Sequence, residues 1–287
     1  MSVLFTDTDC EIWFTDVDKY DIKVIGMPYT LDGVERFYDM GRNTDFKLMY
    51  DRMREGAMPS TSALNPQDYL DYFEPVLASG EDILYIHFSD KLSGTFNHMK
   101  LALDELKEKY PERKVTLFNT RSICYGAGFQ VLVAAKMHKE GKSDEEIVAF
   151  LEDFSSHVVT AFMVDSLAHL KRGGRISATS AVIGGLLNIK PLIKITNDGT
   201  LEKYATAKGM KKAISMMVQD CVAKIDKIDE YSVCILNADN KEIADYAENL
   251  LKEKLSGVKI EHLPVGPVIG AHCGPGTVGL VYYANER

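Results

Sequence analysis

The sequence has few features of a metal site or a disulfide-stabilised fold. Its five cysteines are scattered and odd in number, and no two of them form a CxxC pair. Disulfide frameworks and zinc sites need closely spaced cysteine or histidine residues, and no cluster of histidine, cysteine and carboxylate has that spacing. We therefore expect reduced, mostly buried thiols, no metal and no cofactor.

Long apolar runs and a basic N-terminus are also missing. The least interrupted apolar stretch, residues 181–189, is too short to cross a bilayer, which takes about 20 residues. The chain starts MSVLF and turns acidic at Asp7 and Asp9, whereas a secretory signal needs a basic start and a longer apolar run. These features predict a cytoplasmic protein without a transmembrane segment.

Positive charge is the scarcer sign. Lysine and arginine total 33 and aspartate and glutamate total 42, so the formal charge is 33 − 42 = −9. This balance disfavours non-specific binding to nucleic acid or anionic membranes. The chain is 46% hydrophobic and has 287 residues, which is enough for two domains with their own cores.

Sequence motifs of common catalytic sites are absent as well. No GxxxxGK[ST] run is present, and Gly126-Ala-Gly128 lacks the third glycine of a dinucleotide-binding loop. A nucleophile elbow around Ser93 would need glycine where Lys91 stands. His272 and Cys273 are adjacent, and in the extended backbone that we expect there they would point to opposite sides. The sequence thus favours binding over catalysis.

The apolar pattern predicts an α/β protein with two domains. Strands at residues 83–88 and 115–118 alternate with helices in the first half, which indicates a mostly parallel sheet with flanking helices over residues 1–155. The pattern changes near residue 156, where a hairpin around Asp198-Gly199 and further strands and helices predict a smaller α+β domain over residues 156–287. We expect the two domains to pack closely.

Three small polar clusters stand near the ends of predicted strands. They contain Thr61, the Ser93-Gly94 pair and His272, the last before a Gly-Pro-Gly turn. Ligands of open α/β sheets bind outside the carboxyl ends of strands, and hydroxyl and backbone N–H groups at a helix start suit an anion. Helix capping would explain Thr61 and Ser93 equally well, and His272 could be a structural histidine.

A fourth candidate is the cationic run Lys171-Arg-Gly-Gly-Arg175. Two arginines around a glycine pair could bind phosphate through Arg172 or Arg175. A solvated turn whose arginines pair with surface carboxylates is the alternative.

Taken in order, these clusters resemble the DegV family, which includes the fatty-acid-binding subunit of the bacterial fatty acid kinase. The resemblance spans nearly the whole chain, and the RGGRIS run together with the final HxGPG motif is its most specific part. The matching segments are FTDT at 5–8, PSTS at 59–62, SDKLSGT at 89–95, GAG at 126–128, LAHLKRGGRIS at 167–177, LNIKP at 187–191 and GPVIGAHCGPG at 266–276.

The resemblance implies a buried tunnel, between or beside the two domains, for one long-chain fatty acid. It implies that hydroxyls matching Thr61 and Ser93 hold the carboxylate, with His272 nearby and the N–H of Gly94 as a further donor. It also implies a separate ATP-dependent kinase that converts the bound acid to an acyl phosphate for phospholipid synthesis. Arg172 or Arg175 would then contact that partner or the phosphate.

The sequence departs from the family pattern at several positions. Because these residues could line the tunnel, the family does not tell which acyl chain this protein prefers. The family's usual residues are replaced here by Ala63, Asn119, Thr120, Cys124 and Cys273. Two other functions remain open: a carrier or sensor without a kinase partner, and a hydrolase that uses Ser93 with His272. The kinase, the acyl chain length and unsaturation, and the oligomeric state do not follow from the sequence.

Overall fold

The computed structural model describes residues 2–176 and 188–287. Several sequence features fall partly outside them: the end of the match at 167–177, the start of the match at 187–191 and most of the apolar stretch at 181–189.

Strands and helices alternate through the described chain. The strands are β1 Val3–Asp7, β2 Lys23–Ile25, β3 Pro28–Leu31, β4 Val34–Phe37, β5 Ser60–Thr61, β6 Ile83–His87, β7 Val115–Asn119, β8 Val158–Met163, β9 Ile189–Ile195, β10 Leu201–Lys208, β11 Val233–Asn237, β12 Ile260–Pro264 and β13 Val278–Tyr283. The helices are α1 Phe14–Tyr20, α2 Phe46–Arg54, α3 Pro66–Ala78, α4 Thr95–Lys109, α5 Tyr125–Lys139, α6 Asp144–Phe154, α7 Ala168–Arg172, α8 Met210–Lys224, α9 Lys241–Lys254 and α10 Pro267–Cys273.

The first sheet is parallel and has the order β2-β1-β6-β7. Every residue of β6 is buried, as expected for an inner strand with helices on both faces. The chain moves outward in one direction from β1 to β2 and in the other from β6 to β7, so the strand order reverses between β1 and β6. Ligands of open α/β sheets bind at such a reversal, outside the carboxyl ends of the strands.

The second sheet has six strands in the order β10-β9-β8-β13-β11-β12. Its strands all lie between residues 158 and 283, whereas the strands of the other sheets lie between residues 3 and 119. The predicted change of pattern near residue 156 therefore coincides with a change of sheet. The predicted hairpin forms as β9 and β10, which pair antiparallel. The domain boundary at 155/156 stays a prediction.

A third, small antiparallel sheet has the order β4-β3-β5 and was not predicted. Its strand β5 carries Thr61, which pairs with Tyr29 of β3. Thr61 therefore lies in a strand. The cap of the next helix, α3, is Asn65, whose side chain accepts from Asp68 N–H. Helix capping by Thr61, one of the two explanations left open, is thus wrong.

Helix α10 connects the two halves. It belongs to the second half in sequence, yet it contacts α2, β3 and β5 of the first half. Buried apolar residues of both halves, such as Ile86 and Val268, belong to one continuous core. The expected close packing of the halves is therefore present, and α10 brings His272 towards β5. In the described ranges, no helix is long and apolar enough to cross a membrane.

Candidate functional site

A narrow cavity lies between the carboxyl edge of the parallel sheet and the six-stranded sheet. We call it the inter-sheet cavity; its volume is about 90 Å³. Its apolar wall includes Phe88, Phe162, Leu170, Leu236, Val265 and Ile269. Its polar wall includes Asp9, Thr61, Ser93, Arg175 and His272. Pockets for drug-sized ligands measure roughly 300–1,000 Å³, so this space is too small for a nucleotide, and a long acyl chain would enter it only with movement of side chains in the wall.

Thr61 and His272 meet at the wall of this cavity. Oγ1 of Thr61 lies 2.9 Å from Nε2 of His272, so strand β5 and helix α10 are joined by a side-chain hydrogen bond. The backbone at His272 is helical, because this residue stands in the last turn of α10. The extended backbone expected there is therefore wrong. The turn expected after it is present, with Gly274 and Gly276 both at positive φ.

His272 is held neutral by its surroundings. Burial lowers its pKa to about 4, and the positive charges of Arg175 and Arg172 act in the same direction. Its Nδ1 is buried and has no hydrogen-bond partner in the described chain. The backbone of Gly173 approaches so closely that a Cβ at that position would lie 2.2 Å from Nδ1. Gly173, the first glycine of the RGGR run, thus makes room for the imidazole.

Ser93 and Gly94 lie beside the start of helix α4. Ser93 lines both the inter-sheet cavity and an adjoining surface depression, which we call the polar groove. Gly94 lines only the polar groove, together with Asp90, Lys91, Asn97, Arg175 and Thr200. Ser93 Oγ accepts from Thr95 N–H at 3.3 Å, although the cap residue of α4 is Gly94 and the helix has no side-chain cap.

No acceptor within the described ranges takes the Gly94 N–H as a hydrogen-bond donor. A Cβ on Gly94 would meet no atom within 4 Å, and its φ is −74°. Neither packing nor backbone conformation therefore requires glycine at this position. A free N–H beside open space is the arrangement that an incoming anion could use.

The two arginines of the RGGR run lie in different places. Arg172 is exposed; it donates to Nδ1 of His169 at 3.2 Å. Arg175 is partly buried, lines the inter-sheet cavity and donates through Nε to the carbonyl of Leu92 at 3.0 Å. Burial lowers its pKa, and the negative charge of Asp9 opposes that shift. A cation therefore faces the cavity, in addition to the neutral donors that the sequence suggested.

Four of the five residues that depart from the family pattern, all except Ala63, fall into two groups. Cys124 and Cys273 are buried and line the inter-sheet cavity, so they change its wall. Asn119 ends strand β7 and accepts from the N–H of Arg121 at 2.9 Å, and the hydroxyl of Thr120 donates to the carbonyl of His87 at 2.9 Å. Of these four, the two cysteines are the ones placed to influence ligand choice.

Asp7, Asp9 and Glu11 are all buried, and the sequence interpretation predicted none of this. Glu11 accepts from the N–H of Gly266 at 2.7 Å and from the thiol of Cys124 at 2.5 Å, and burial raises its pKa to about 8. Asp9 lines the inter-sheet cavity and is only 7% exposed. All three lie in a TDTDCE segment that reads as a polar turn. The only available signal was its position directly after a buried strand.

The geometry does not assemble the Ser93–His272 pair that a hydrolase would use. Nε2 of His272 contacts Thr61, and within residues 2–176 and 188–287 no hydrogen bond joins Ser93 to His272. A serine nucleophile needs a histidine within hydrogen-bond reach, and that histidine needs a group that orients its other nitrogen. Nδ1 of His272 lacks such a group.

Comparison with known proteins gives one family over almost the whole chain. The family model described as "Uncharacterised protein, DegV family" matches residues 2–285. The DegV domain-containing protein CPE0026 of Clostridium perfringens is 37% identical over 287 residues, which is 99% of this chain and 98% of the relative.

Solved structures agree with that result. A DegV family protein of Thermus thermophilus, described by its fatty acid binding, has a TM-score of 0.83 and 28% identity and covers 98% of this chain and 99% of its own. DegV of Bacillus subtilis, described as a fatty acid binding protein, has a TM-score of 0.81 and 27% identity and covers 99% of both chains. The fold, the family model and the sequence relatives lead to one conclusion: this chain belongs to the DegV family.

Proposed function

We propose that the protein binds one long-chain fatty acid in the inter-sheet cavity and presents its carboxyl group to a separate ATP-dependent fatty acid kinase. The bound product would be an acyl phosphate destined for phospholipid synthesis. The observation that carries the proposal is the hydrogen-bonded pair of Thr61 and His272 at the wall of a narrow, mainly apolar cavity that Ser93 also lines. Relatives from Thermus thermophilus and Bacillus subtilis are described as binding fatty acids.

The apolar wall can supply the affinity for such a ligand. Burying each methylene contributes about 0.8 kcal/mol, so a sixteen-carbon tail contributes roughly 11 kcal/mol before costs. Lost translational freedom and ordering take back several kcal/mol or more. The remainder is compatible with micromolar or tighter binding. Cys124 and Cys273 in the wall would influence which acyl chain fits.

The polar wall can hold the carboxylate without a direct ion pair. With the imidazole proton on Nε2, His272 donates to Oγ1 of Thr61, and the Thr61 hydroxyl is then free to donate to the ligand. Ser93 offers a second hydroxyl, and Arg175 adds positive charge from the same wall. A buried carboxylate needs such donors, since its desolvation would otherwise offset much of the tail's contribution.

The polar groove supports the kinase part of the proposal. It adjoins the inter-sheet cavity, and the two share Ser93 and Arg175. A phosphoryl donor could therefore reach a carboxylate held at Ser93 from the groove side, where the N–H of Gly94 is unengaged. Exposed Arg172, close by in sequence, is available to a partner's surface. We expect this partnership to operate in the cytoplasm.

Mass spectrometry of the purified, denatured protein tests the binding step. We expect a long-chain fatty acid in near-stoichiometric amount, and after removal it should rebind with the same ratio. Protein that neither carries nor rebinds an acyl chain would refute the proposal.

The kinase step is tested with ATP, the loaded protein and the fatty acid kinase of the source organism. Acyl phosphate should form and be trapped by hydroxylamine as an acyl hydroxamate; acid that binds without being phosphorylated would favour a carrier or sensor role.

A further inference from the structure

Asp9 is a buried carboxyl group on the wall of the inter-sheet cavity. It lies in a short 3-10 helix, Thr8–Cys10, directly after the carboxyl end of β1. Its N–H donates to Oδ1 of Asp7 at 3.0 Å and its carbonyl accepts from the N–H of Cys124 at 2.8 Å. The backbone is therefore fixed at both ends of the residue, at a position where Asp9 lines the cavity.

The side chain lacks the contacts that a buried carboxylate requires. Only 7% of Asp9 is exposed, and its Oδ1 has no hydrogen-bond partner in the described part of the chain. No cation within the described ranges forms an ion pair with it. Burying an unpaired, ionised carboxylate is so costly that such groups take up a proton instead.

Most of the surroundings of Asp9 favour its protonated form. Burial raises its pKa well above the usual range, and the negative charges of Asp7 and Glu11 raise it further, while Arg175 across the cavity opposes them. The other titratable groups near it are held neutral by burial: Tyr69 of α3, Cys10, Cys124, Cys273 and His272. A neutral carboxylic acid carries an O–H donor, which an ionised one lacks.

We propose that Asp9 is a binding residue for the ligand's headgroup, which in its protonated form donates its O–H to the carboxylate of the bound fatty acid. This inference rests on the proposed function, because it needs a carboxylate in the cavity. The unpartnered Oδ1, the burial and the shared cavity wall with Thr61, Ser93 and His272 carry it. It adds one short, charge-assisted hydrogen bond to those from the hydroxyls.

Two carboxyl groups in one pocket then share a single proton, because like charges so close to each other cannot both stay ionised. The complex is stable while that proton is present. As the pH rises and the proton leaves, the charges of Asp9 and of the ligand repel each other and the acid is released. The sharing also selects for a free acid, since the uncharged carbonyl of an ester would accept only a weaker, neutral hydrogen bond from the O–H.

Equilibrium dialysis of radiolabelled palmitate against delipidated protein between pH 6.5 and pH 9 tests this role. We expect the wild-type protein to bind at least tenfold more weakly at pH 9 than at pH 6.5. Asp9→Asn keeps a donor that cannot ionise, so its affinity should be nearly the same at both pH values. Glu11→Gln is the matched control, because Glu11 is a neighbouring buried carboxyl that does not line the cavity. Its affinity should still fall as the pH rises, but at a lower pH than in the wild type, because the Glu11 charge that raises the pKa of Asp9 is removed.

A wild-type profile in Asp9→Asn, or a flat profile in Glu11→Gln alone, would overturn the role of Asp9 while palmitate binding itself stands. No palmitate binding at any pH in the wild-type protein would instead reject the proposed function. Should Asp9→Asn fail to fold, isothermal titration calorimetry of the wild-type protein in buffers of different ionisation enthalpy replaces it. Palmitate should bind with uptake of up to one proton per ligand at alkaline pH, and binding without proton uptake across pH 6.5–9 would contradict the inference.

Discussion

The Thr61 hydroxyl and the His272 imidazole lie 2.9 Å apart although 211 positions separate them in the sequence. One residue belongs to a two-residue strand of the first half and the other to the last turn of α10 in the second half. This contact joins the two halves at the inter-sheet cavity. Any ligand held by Thr61 is therefore sensitive to how α10 is placed.

Removal of the Thr61 hydroxyl should weaken fatty acid binding. Thr61→Val keeps the shape of the side chain but loses the donor, and a hydrogen bond to a charged group contributes about 1.5–3 kcal/mol. We expect roughly a tenfold or larger rise in the dissociation constant of palmitate, measured by equilibrium dialysis. Thr61→Ser retains the hydroxyl and should stay close to wild type. Equal affinity of Thr61→Val and wild type would remove Thr61 from the headgroup site.

Substitution of the two arginines of the RGGR run should affect fatty acid binding and phosphorylation differently. Arg172 is exposed and lines neither the inter-sheet cavity nor the polar groove, whereas Arg175 lines both. Arg172→Ala should therefore leave palmitate binding within about twofold of wild type and lower acyl phosphate formation with the kinase at least tenfold. Arg175→Ala should weaken binding itself. Loss of binding in Arg172→Ala would show that the roles are assigned the wrong way round.

Position 173 must be glycine because the His272 imidazole leaves no room for a side chain there. A Cβ at Gly173 would lie 2.2 Å from Nδ1, so Gly173→Ala must displace the imidazole and break its contact with Thr61. We expect this variant to lose about 1–3 kcal/mol of unfolding free energy, as overpacked sites do, and to retain less fatty acid. Gly94→Ala is the control for stability, because a Cβ there meets no atom within 4 Å. Urea unfolding measures both variants, and equal stability of the two would contradict the proposed contact.

Much of the fold could be predicted because its main elements are long and periodic. The strands predicted over residues 83–88 and 115–118 coincide to within one residue with β6 and β7, and the hairpin predicted around Asp198-Gly199 forms as β9 and β10. The small sheet of β3, β4 and β5 could not be predicted in this way. Its strands are two to four residues long, too short for an alternating pattern, and only their pairing across the chain defines them.

The site was predictable in its components but not in its arrangement. Glycine and hydroxyl residues marked Ser93, Gly94 and His272 as candidates, since loops and helix starts have recognisable compositions. Sequence spacing says nothing about the pairing of His272 with Thr61 rather than with Ser93. The burial of Asp9 was equally hidden, because a carboxylate in a short turn is normally exposed and only tertiary packing encloses it.

Glu11 should make stability fall at alkaline pH. Its pKa is raised from 4.5 to about 8 in the folded protein, mainly by burial. The folded state therefore binds the proton more tightly than the unfolded state. The stabilisation is fully present below pH 4.5 and is lost as the pH rises to 8 and beyond. Glu11→Gln keeps an acceptor for the Gly266 N–H but cannot ionise, so it escapes this loss.

Urea unfolding at pH 4.5 and pH 9 measures the difference. At pH 9 we expect Glu11→Gln to exceed the wild-type protein by on the order of 3 kcal/mol, after allowance for relaxation around the charge. Near pH 4.5 the two proteins should be similar, because Glu11 is then protonated in the folded wild type as well. Other buried carboxyls, such as Asp7, titrate in both proteins and cancel in the comparison. If the difference in unfolding free energy between the two proteins were constant across this pH range, Glu11 would have the same pKa in the folded and unfolded states, which would contradict the prediction.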